Sequence, residues 1–248
     1  MTYKTGQPKA LVGNWFICLF GEPGVGKTSL CAYAPPPVHW IDTGSETMIL
    51  AYTSSLPDMG DIPQPEAVHF CPEPQDVASV LLDVKAKKLK PATLVLDNLS
   101  DLTHAQLRDS ATKLKTGRDR AGVTIPIQED YLIATTFERN FFLDFEAEAY
   151  PCNVVVLAHR LEETNEKTKR TTIRPDLPPK LSNQLTGKVN AQLFMTLEVN
   201  QLLKTEIRTV RARPTNIIEA KNRFDLPAEF PASDLWKLIG EKKSATKS

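Results

Sequence analysis

The segment Gly21–Ser29, called the P-loop below, has the residue types and spacing that a polyphosphate requires. It fits the pattern G-x-x-x-x-G-K-[ST] at every fixed position. Glycines let backbone N–H groups turn toward an anion without obstruction by a Cβ atom, and a helix N-terminus behind them favours negative charge. We therefore predict that ATP contacts all nine residues, which are Gly21, Glu22, Pro23, Gly24, Val25, Gly26, Lys27, Thr28 and Ser29.

Two side chains of the P-loop and one later aspartate have separate predicted tasks in binding phosphate and Mg²⁺. Lys27 is expected to reach the β- and γ-phosphates, and the Thr28 hydroxyl is expected to bind Mg²⁺. Asp97 follows the apolar run Thr93–Leu96, and an aspartate at the end of such a strand can hold Mg²⁺ through a water molecule. The alternative for Asp97 is a cap on the helix predicted to begin near Asn98.

Short apolar strands alternating with helices are the elements that must position these side chains. Strands are predicted at Trp15–Phe20, Val38–Ile41, Ala67–Cys71, Thr93–Leu96 and Asn153–Leu157, and helices at Lys27–Tyr33, Gln75–Lys88, Asn98–Leu114 and Tyr131–Ala147. This order predicts an α/β fold with a mostly parallel twisted sheet flanked by helices. Near the C-terminus, Leu193–Val199 and Glu206–Arg213 alternate well enough to pair as antiparallel strands.

Three polar segments give no clear periodicity. We interpret Lys113–Gln128 as a loop and Arg160–Lys188 as a long loop or hairpin of a kind that is often functional. The Lys- and Ser-rich residues 240–248 are predicted to be a disordered tail. Because the chain has no internal repeat and no convincing linker, residues 1–239 are predicted to form a single domain.

Composition limits the classes of function that remain. Hydrophobic residues make up 41% and charged residues 24% of the chain, as in an ordinary globular protein. The four cysteines form no C-x-x-C pair, which argues against a zinc site and fits a reducing cytoplasm. The longest apolar runs are too short to cross a bilayer, so no membrane association is expected. Thirty basic residues balance thirty acidic ones, and any contact with nucleic acid would have to be local.

Known classes of P-loop protein differ in where the sequence places the acid that activates water. The P-loop closely resembles that of the AAA+ class, but that class has Asp-Glu where this chain has Asp97 and Asn98. In the RecA-like class, which the chain also resembles, the catalytic glutamate follows the second strand. That resemblance makes Glu46 the candidate base and Asp42 the next candidate. Glu46 would equally suit the first turn of a helix.

Two later segments extend the resemblance to the RecA-like class. His159 ends the apolar run Val154–Ala158, where that class has a γ-phosphate sensor; a structural histidine is the alternative. The run Ala220–Phe224 resembles the Lys-Asn-Arg-Phe-Gly motif of bacterial RadA proteins, although Asp225 replaces the glycine. The resemblance implies that Lys221 and Arg223 enter the ATP site of an adjacent subunit in a ring or filament. A solvated basic turn is the alternative.

In sum, these motifs resemble a minimal RecA core between Trp15 and Pro227, similar to phage-encoded RecA-like ATPases of single-strand annealing and recombination. The resemblance implies a DNA-stimulated ATPase of the host cytoplasm that binds single-stranded DNA through Lys113–Gln128 and Arg160–Lys188. Neither segment has an aromatic residue for base stacking. The alternative is therefore an ATP-dependent assembly or partner-binding switch, such as an AAA+-like loader, without direct DNA contact.

Overall fold

The computed structural model describes residues 13–44, 47, 50, 55–56, 60–113, 118–120, 123–145, 150–200 and 205–245. Its strands are β1 (Phe16–Gly21), β2 (Val38–Asp42), β3 (Ser55–Leu56), β4 (Gly60–Asp61), β5 (Ala67–Phe70), β6 (Thr93–Asp97), β7 (Arg118–Arg120), β8 (Val123–Ile125), β9 (Asn153–Thr164), β10 (Thr171–Pro175), β11 (Ala191–Asn200), β12 (Thr205–Arg211), β13 (Lys221–Asn222) and β14 (Glu229–Pro231). Its helices are α1 (Lys27–Ala32), α2 (Pro74–Lys85), α3 (Leu99–Lys113), α4 (Gln128–Asp144), α5 (Pro179–Lys188) and α6 (Leu235–Ala245), with a 3₁₀ turn at Ala232–Asp234.

The main sheet has the strand order β14-β12-β11-β1-β9-β6-β2-β5. All pairs from β11 to β5 are parallel, whereas β12 and β14 continue the sheet antiparallel to their neighbours. This arrangement confirms the predicted α/β fold with C-terminal antiparallel strands. Because β9 lies between β1 and β6, the P-loop strand and the strand ending in Asp97 have the end of β9 between them.

The two faces of the sheet are covered separately, as the alternation of side chains along β1 illustrates. Ile17 and Leu19 point into one apolar cluster, which includes residues of α1 and α6. Phe16, Cys18 and Phe20 point into the other, which includes residues of α2, α3 and α5. A strand that is buried on both faces reads as a continuous apolar run, and this explains why β1 was readily predicted from the sequence.

The predicted loop or hairpin at Arg160–Lys188 is in fact a hairpin followed by a helix. Strand β9 continues past the predicted end at Leu157 as far as Thr164, and its outer half pairs antiparallel with β10. Helix α5 then follows, which the sequence analysis did not predict. Its apolar spacing is limited to Leu181 and Leu185, both fully buried, and a prolyl residue occupies its first turn.

Two other predictions of irregular structure need correction. The predicted loop Lys113–Gln128 contains the two short antiparallel strands β7 and β8. Residues 240–245, predicted to begin a disordered tail, are instead the second half of α6. That helix is anchored because Leu235 and Ile239 are buried and the Trp236 indole donates to the Leu30 carbonyl at 2.8 Å. Within the described part of the chain, none of the helices has the length and apolar character needed to cross a membrane.

Candidate nucleotide-binding site

The P-loop connects the end of β1 to the start of α1 through two glycines in the left-handed region. Gly24 has a φ of 80° and Gly26 a φ of 95°, conformations that residues with a Cβ atom rarely adopt. Glu22, Pro23 and Gly24 are exposed at the outside of the turn, while Val25 and Ser29 are buried beneath it. The loop is therefore anchored from below and open above, as the binding of a polyphosphate requires.

Lys27 is the cation of the P-loop and is nine-tenths buried. Its Nζ atom donates to the carbonyl oxygens of Gly21 at 3.0 Å and Glu22 at 2.8 Å. Its ammonium group is thus held over the concave side of the loop by the loop's own backbone. From this position it can exchange carbonyl oxygens for phosphate oxygens, which are stronger acceptors because they are charged.

Thr28 and Asp97 meet although 69 positions separate them in the sequence. The Thr28 hydroxyl donates to the Asp97 carboxylate at 2.8 Å, and Asp97 is buried at the end of β6. A hydroxyl and a carboxylate are hard oxygen ligands of the kind that Mg²⁺ prefers, and an octahedral ion completes its shell with water and phosphate oxygens. The pair therefore fits the predicted Mg²⁺ site, and Thr28 and Asp97 would hold the ion there.

Of the two candidates for the catalytic base, Asp42 is among the residues that the structure describes and Glu46 is not. Asp42 is buried and both of its carboxylate oxygens are engaged: one accepts from the Gly44 N–H at 3.1 Å, and the other from the Thr47 N–H at 3.1 Å and the Thr47 hydroxyl. Asp42 therefore binds the backbone N–H groups of Gly44 and Thr47, two of the described residues that follow β2.

His159 lies directly beside the P-loop, since it is the β9 partner of Gly21 in the sheet. Its Nε2 atom is 3.2 Å from the Asn98 amide nitrogen and 3.9 Å from the Asp101 carboxylate, and the Asn98 amide donates to that same carboxylate at 2.7 Å. The contact with His159 lowers the pKa of Asp101, with burial opposing it and Asn98 adding to it. The side chain at the predicted sensor position thus belongs to a polar network at the ends of β6 and β9.

The P-loop also makes an ion pair with the β9–β10 hairpin. The Glu22 carboxylate is 3.0 Å from the Arg160 guanidinium, which also contacts Glu162 at 3.0 Å. Arg160 immediately follows His159, so the same strand contacts the P-loop through its backbone register and through a side chain. An exposed pair of this kind contributes little stability, about 0–1 kcal/mol.

Comparison with known families agrees with this geometry. The family described as AAA domain matches residues 13–224, which is most of the chain. The chain belongs to the AAA domain family. It is accordingly a P-loop nucleotide-binding domain of the ATPase type, even though Asn98 stands where the AAA+ class has a glutamate. No match was found among curated protein sequences.

Two solved structures are similar to this AAA domain. The flagellar accessory protein FlaH from Methanocaldococcus jannaschii is 13% identical over 80% of this chain and 77% of its own, with a TM-score of 0.39. A KaiC-like protein from Pyrococcus horikoshii is 13% identical over 88% of this chain and 85% of its own, with a TM-score of 0.44.

Lys221 and Arg223, the predicted trans-acting pair, contact the end of a helix in their own chain. Lys221 donates to the carbonyls of Thr186 and Gly187, the latter at 3.0 Å, and Arg223 donates to the same Gly187 carbonyl at 3.1 Å. Two cations at the C-terminus of α5 are favourably placed against the helix dipole. To act on a neighbouring subunit of the AAA domain, both would first have to leave these carbonyls.

Lys221 is expected to acylate faster than other lysines near neutral pH. Burial, with the charge of Arg223, lowers the pKa of Lys221 to about 8, from about 10.4 for an ordinary lysine. Folding lowers this pKa, so the unfolded chain binds more protons from about pH 8 to pH 10.4 and this group's contribution to stability rises with pH there. Mass spectrometry after limited acetylation at pH 8 should show Lys221 modified roughly tenfold faster than the exposed Lys180 in the first turn of α5. Equal rates would contradict the lowered pKa.

Three features of this site were not predicted from the sequence. Asp101 follows Asn98 by three residues in the first turn of α3, a spacing that could have revealed it. The pairing of Arg160 with Glu22 joins positions far apart in the chain, and no local pattern marks it. Arg208 of β12 lies next to Gly26 of the P-loop, and the available signal for it was a charge at a position that alternates with the buried Val210 and Ala212.

Proposed function

We propose that this AAA domain hydrolyses MgATP and couples the hydrolysis to the binding of single-stranded DNA. The main support for MgATP hydrolysis is the hydrogen bond from Thr28 to Asp97 at 2.8 Å. Lys27, the residue before Thr28, is nearly buried. These three groups derive from the P-loop and from β6. Their convergence supplies a cation for the phosphates and two oxygen ligands at a single point.

Each residue has a definite task in the proposed reaction. Lys27 holds the β- and γ-phosphates in place and offsets the charge that develops between them. Thr28 and Asp97 would hold Mg²⁺, which neutralises phosphate charge when bound. A bond forms from water oxygen to the γ-phosphorus while the bond to the β–γ bridging oxygen breaks. The water proton passes to a carboxylate, for which Glu46 remains the candidate, and ADP and phosphate leave.

The β9–β10 hairpin supports the proposed binding of single-stranded DNA. Its tip carries the exposed cations Lys167, Lys169 and Arg170, a cluster that suits the negatively charged backbone of a nucleic acid. The hairpin is a direct continuation of the strand that carries His159 and Arg160 next to the P-loop. A ligand at the tip and a nucleotide at the base would therefore act on the same strand.

An assembly in which Lys221 and Arg223 complete a neighbouring ATP site is a proposal that rests on the family resemblance. So does a role in phage annealing or recombination. For the trans arrangement, nucleotide-dependent assembly should protect Lys221 from acetylation, because its amine would move into the neighbouring site. Protection that is independent of assembly would leave the pair as a cap on α5.

The test is ATP turnover with and without single-stranded DNA, at low and moderate salt. We expect stimulation by DNA that declines as salt rises, because phosphate contacts release counterions. Replacing Lys167 and Lys169 by glutamine should remove the stimulation and leave basal turnover unchanged. The control is the double variant K90Q/K237Q, which removes two exposed lysines elsewhere. Basal turnover that is indifferent to DNA, without DNA binding at low salt, would favour the partner-binding switch.

A further inference from the structure

Arg208 of β12 lies against the P-loop although it is far from it in the sequence. A Cβ atom built on Gly26 would lie 3.0 Å from Arg208 Nε and 3.5 Å from Arg208 Cδ. Gly26 is the residue immediately before Lys27, and its φ of 95° lies in the left-handed region. The guanidinium of Arg208 therefore packs directly on the backbone of the phosphate-binding turn.

This position is unusual for an arginine. Only 6% of Arg208 is exposed, and it lies on the buried face of β12 in line with Val210 and Ala212. One nitrogen of its guanidinium contacts the Glu206 carboxylate at 2.6 Å, and 41% of the Glu206 side chain is exposed. A buried positive charge is thus offset by an acid that solvent partly screens. The guanidinium places a positive charge next to Gly26.

We propose that Arg208 is a positioning residue of the nucleotide site, acting within its own chain. It holds Gly26 in the left-handed conformation by contact, and its charge raises the affinity of the turn for a polyphosphate. The inference rests on the proposed function, because it requires that the P-loop binds ATP. It differs from the trans-acting pair, since Arg208 would act on the P-loop of the same subunit.

The charge and packing roles predict different effects for the two partners of the ion pair. If Arg208 acted only as a structural strut, then R208Q and E206Q would both weaken nucleotide binding, because each breaks the same pair. If its charge acts on the phosphates, R208Q weakens binding whereas E206Q strengthens it, since the guanidinium is no longer offset. R208K keeps the charge and should retain most of the affinity.

The experiment measures the dissociation constants of MgATP and MgADP with a fluorescent nucleotide analogue at low and high salt. For R208Q we expect about a tenfold increase for MgATP at low salt, a smaller increase for MgADP, and convergence toward wild type at high salt. For R208K we expect a change of less than about threefold. The matched control is R211Q, because Arg211 is an arginine of the same strand, paired with Glu229, on the opposite face.

The outcomes separate the two levels of inference. Wild-type protein that binds no nucleotide, or K27A that binds as well as wild type, would overturn the proposed function itself. Wild type that binds and K27A that does not, together with unchanged affinity in R208Q, would overturn the role of Arg208 alone. Weakened binding in both R208Q and E206Q would leave Arg208 with the contact role alone and contradict the proposed effect of its charge on nucleotide affinity. Circular dichroism verifies that each variant is folded.

Discussion

Replacing Lys27 by alanine is expected to reduce the affinity for MgATP by about a hundredfold or more. Lys27 is expected to bind two phosphates, each such hydrogen bond to a charged group contributes roughly 1.5–3 kcal/mol, and each 1.4 kcal/mol corresponds to a factor of ten. Lys27 is nine-tenths buried and its ammonium group is held by two P-loop carbonyls. Equilibrium titration with a fluorescent ATP analogue measures the loss directly.

The matched control for this prediction is K85A. Lys85 is an exposed lysine in the last turn of α2, away from the P-loop, and its removal should leave the affinity for MgATP unchanged. Urea denaturation of K27A without nucleotide determines whether the variant is folded, so a loss of affinity can be separated from unfolding. An affinity for MgATP in K27A equal to that of wild type would refute the assignment of the phosphate site.

Replacing Gly21 by alanine is expected to lower the free energy of unfolding by about 3 kcal/mol. An added Cβ atom would lie 2.4 Å from the backbone oxygen of Met195, its partner in β11. That oxygen belongs to the central sheet and cannot move like the end of a flexible side chain, so the cost is that of overpacking a rigid core. Urea denaturation followed by tryptophan fluorescence measures the change.

A second glycine serves as the internal comparison for G21A. Gly240 lies within α6, and a Cβ atom added there would meet no other atom within 4 Å. We expect G240A to raise the free energy of unfolding by up to about 1 kcal/mol, because alanine favours the helix and restricts the unfolded chain. If G21A were as stable as wild type, the close approach of β1 and β11 would be incorrect.

The sequence was sufficient for the features that depend on local pattern. The P-loop, the buried strand before it and the acid at the end of β6 each follow from a motif or an apolar run of ordinary length. The antiparallel pairing of β11 with β12 was also predicted, since both strands alternate clearly. These patterns are local because residue spacing within a strand or turn determines them.

The features that were missed depend on contacts between distant segments. Helix α5 has only two buried leucines over ten residues, so its pattern is too weak to show against its polar remainder. The end of α6 was predicted to be a tail because residues 240–248 are rich in lysine and serine. The buried residues that anchor the helix, Leu235 and Ile239, come before that segment. The position of Arg208 against Gly26 depends on the order of strands in the sheet, which no window of sequence contains.

Strand β9 has a mechanical consequence for the proposed coupling. Its 12 residues form one continuous strand. The first half pairs with β1 and β6 in the main sheet, and the second half pairs with β10. Its far end at Thr164 lies about 17 Å beyond His159, at about 3.3 Å per residue. A tilt of about 10° at His159 would carry that end by about 3 Å, roughly the length of a hydrogen bond. A small displacement near the γ-phosphate would thus produce a larger displacement at the far end of β9, and the hairpin would not have to refold.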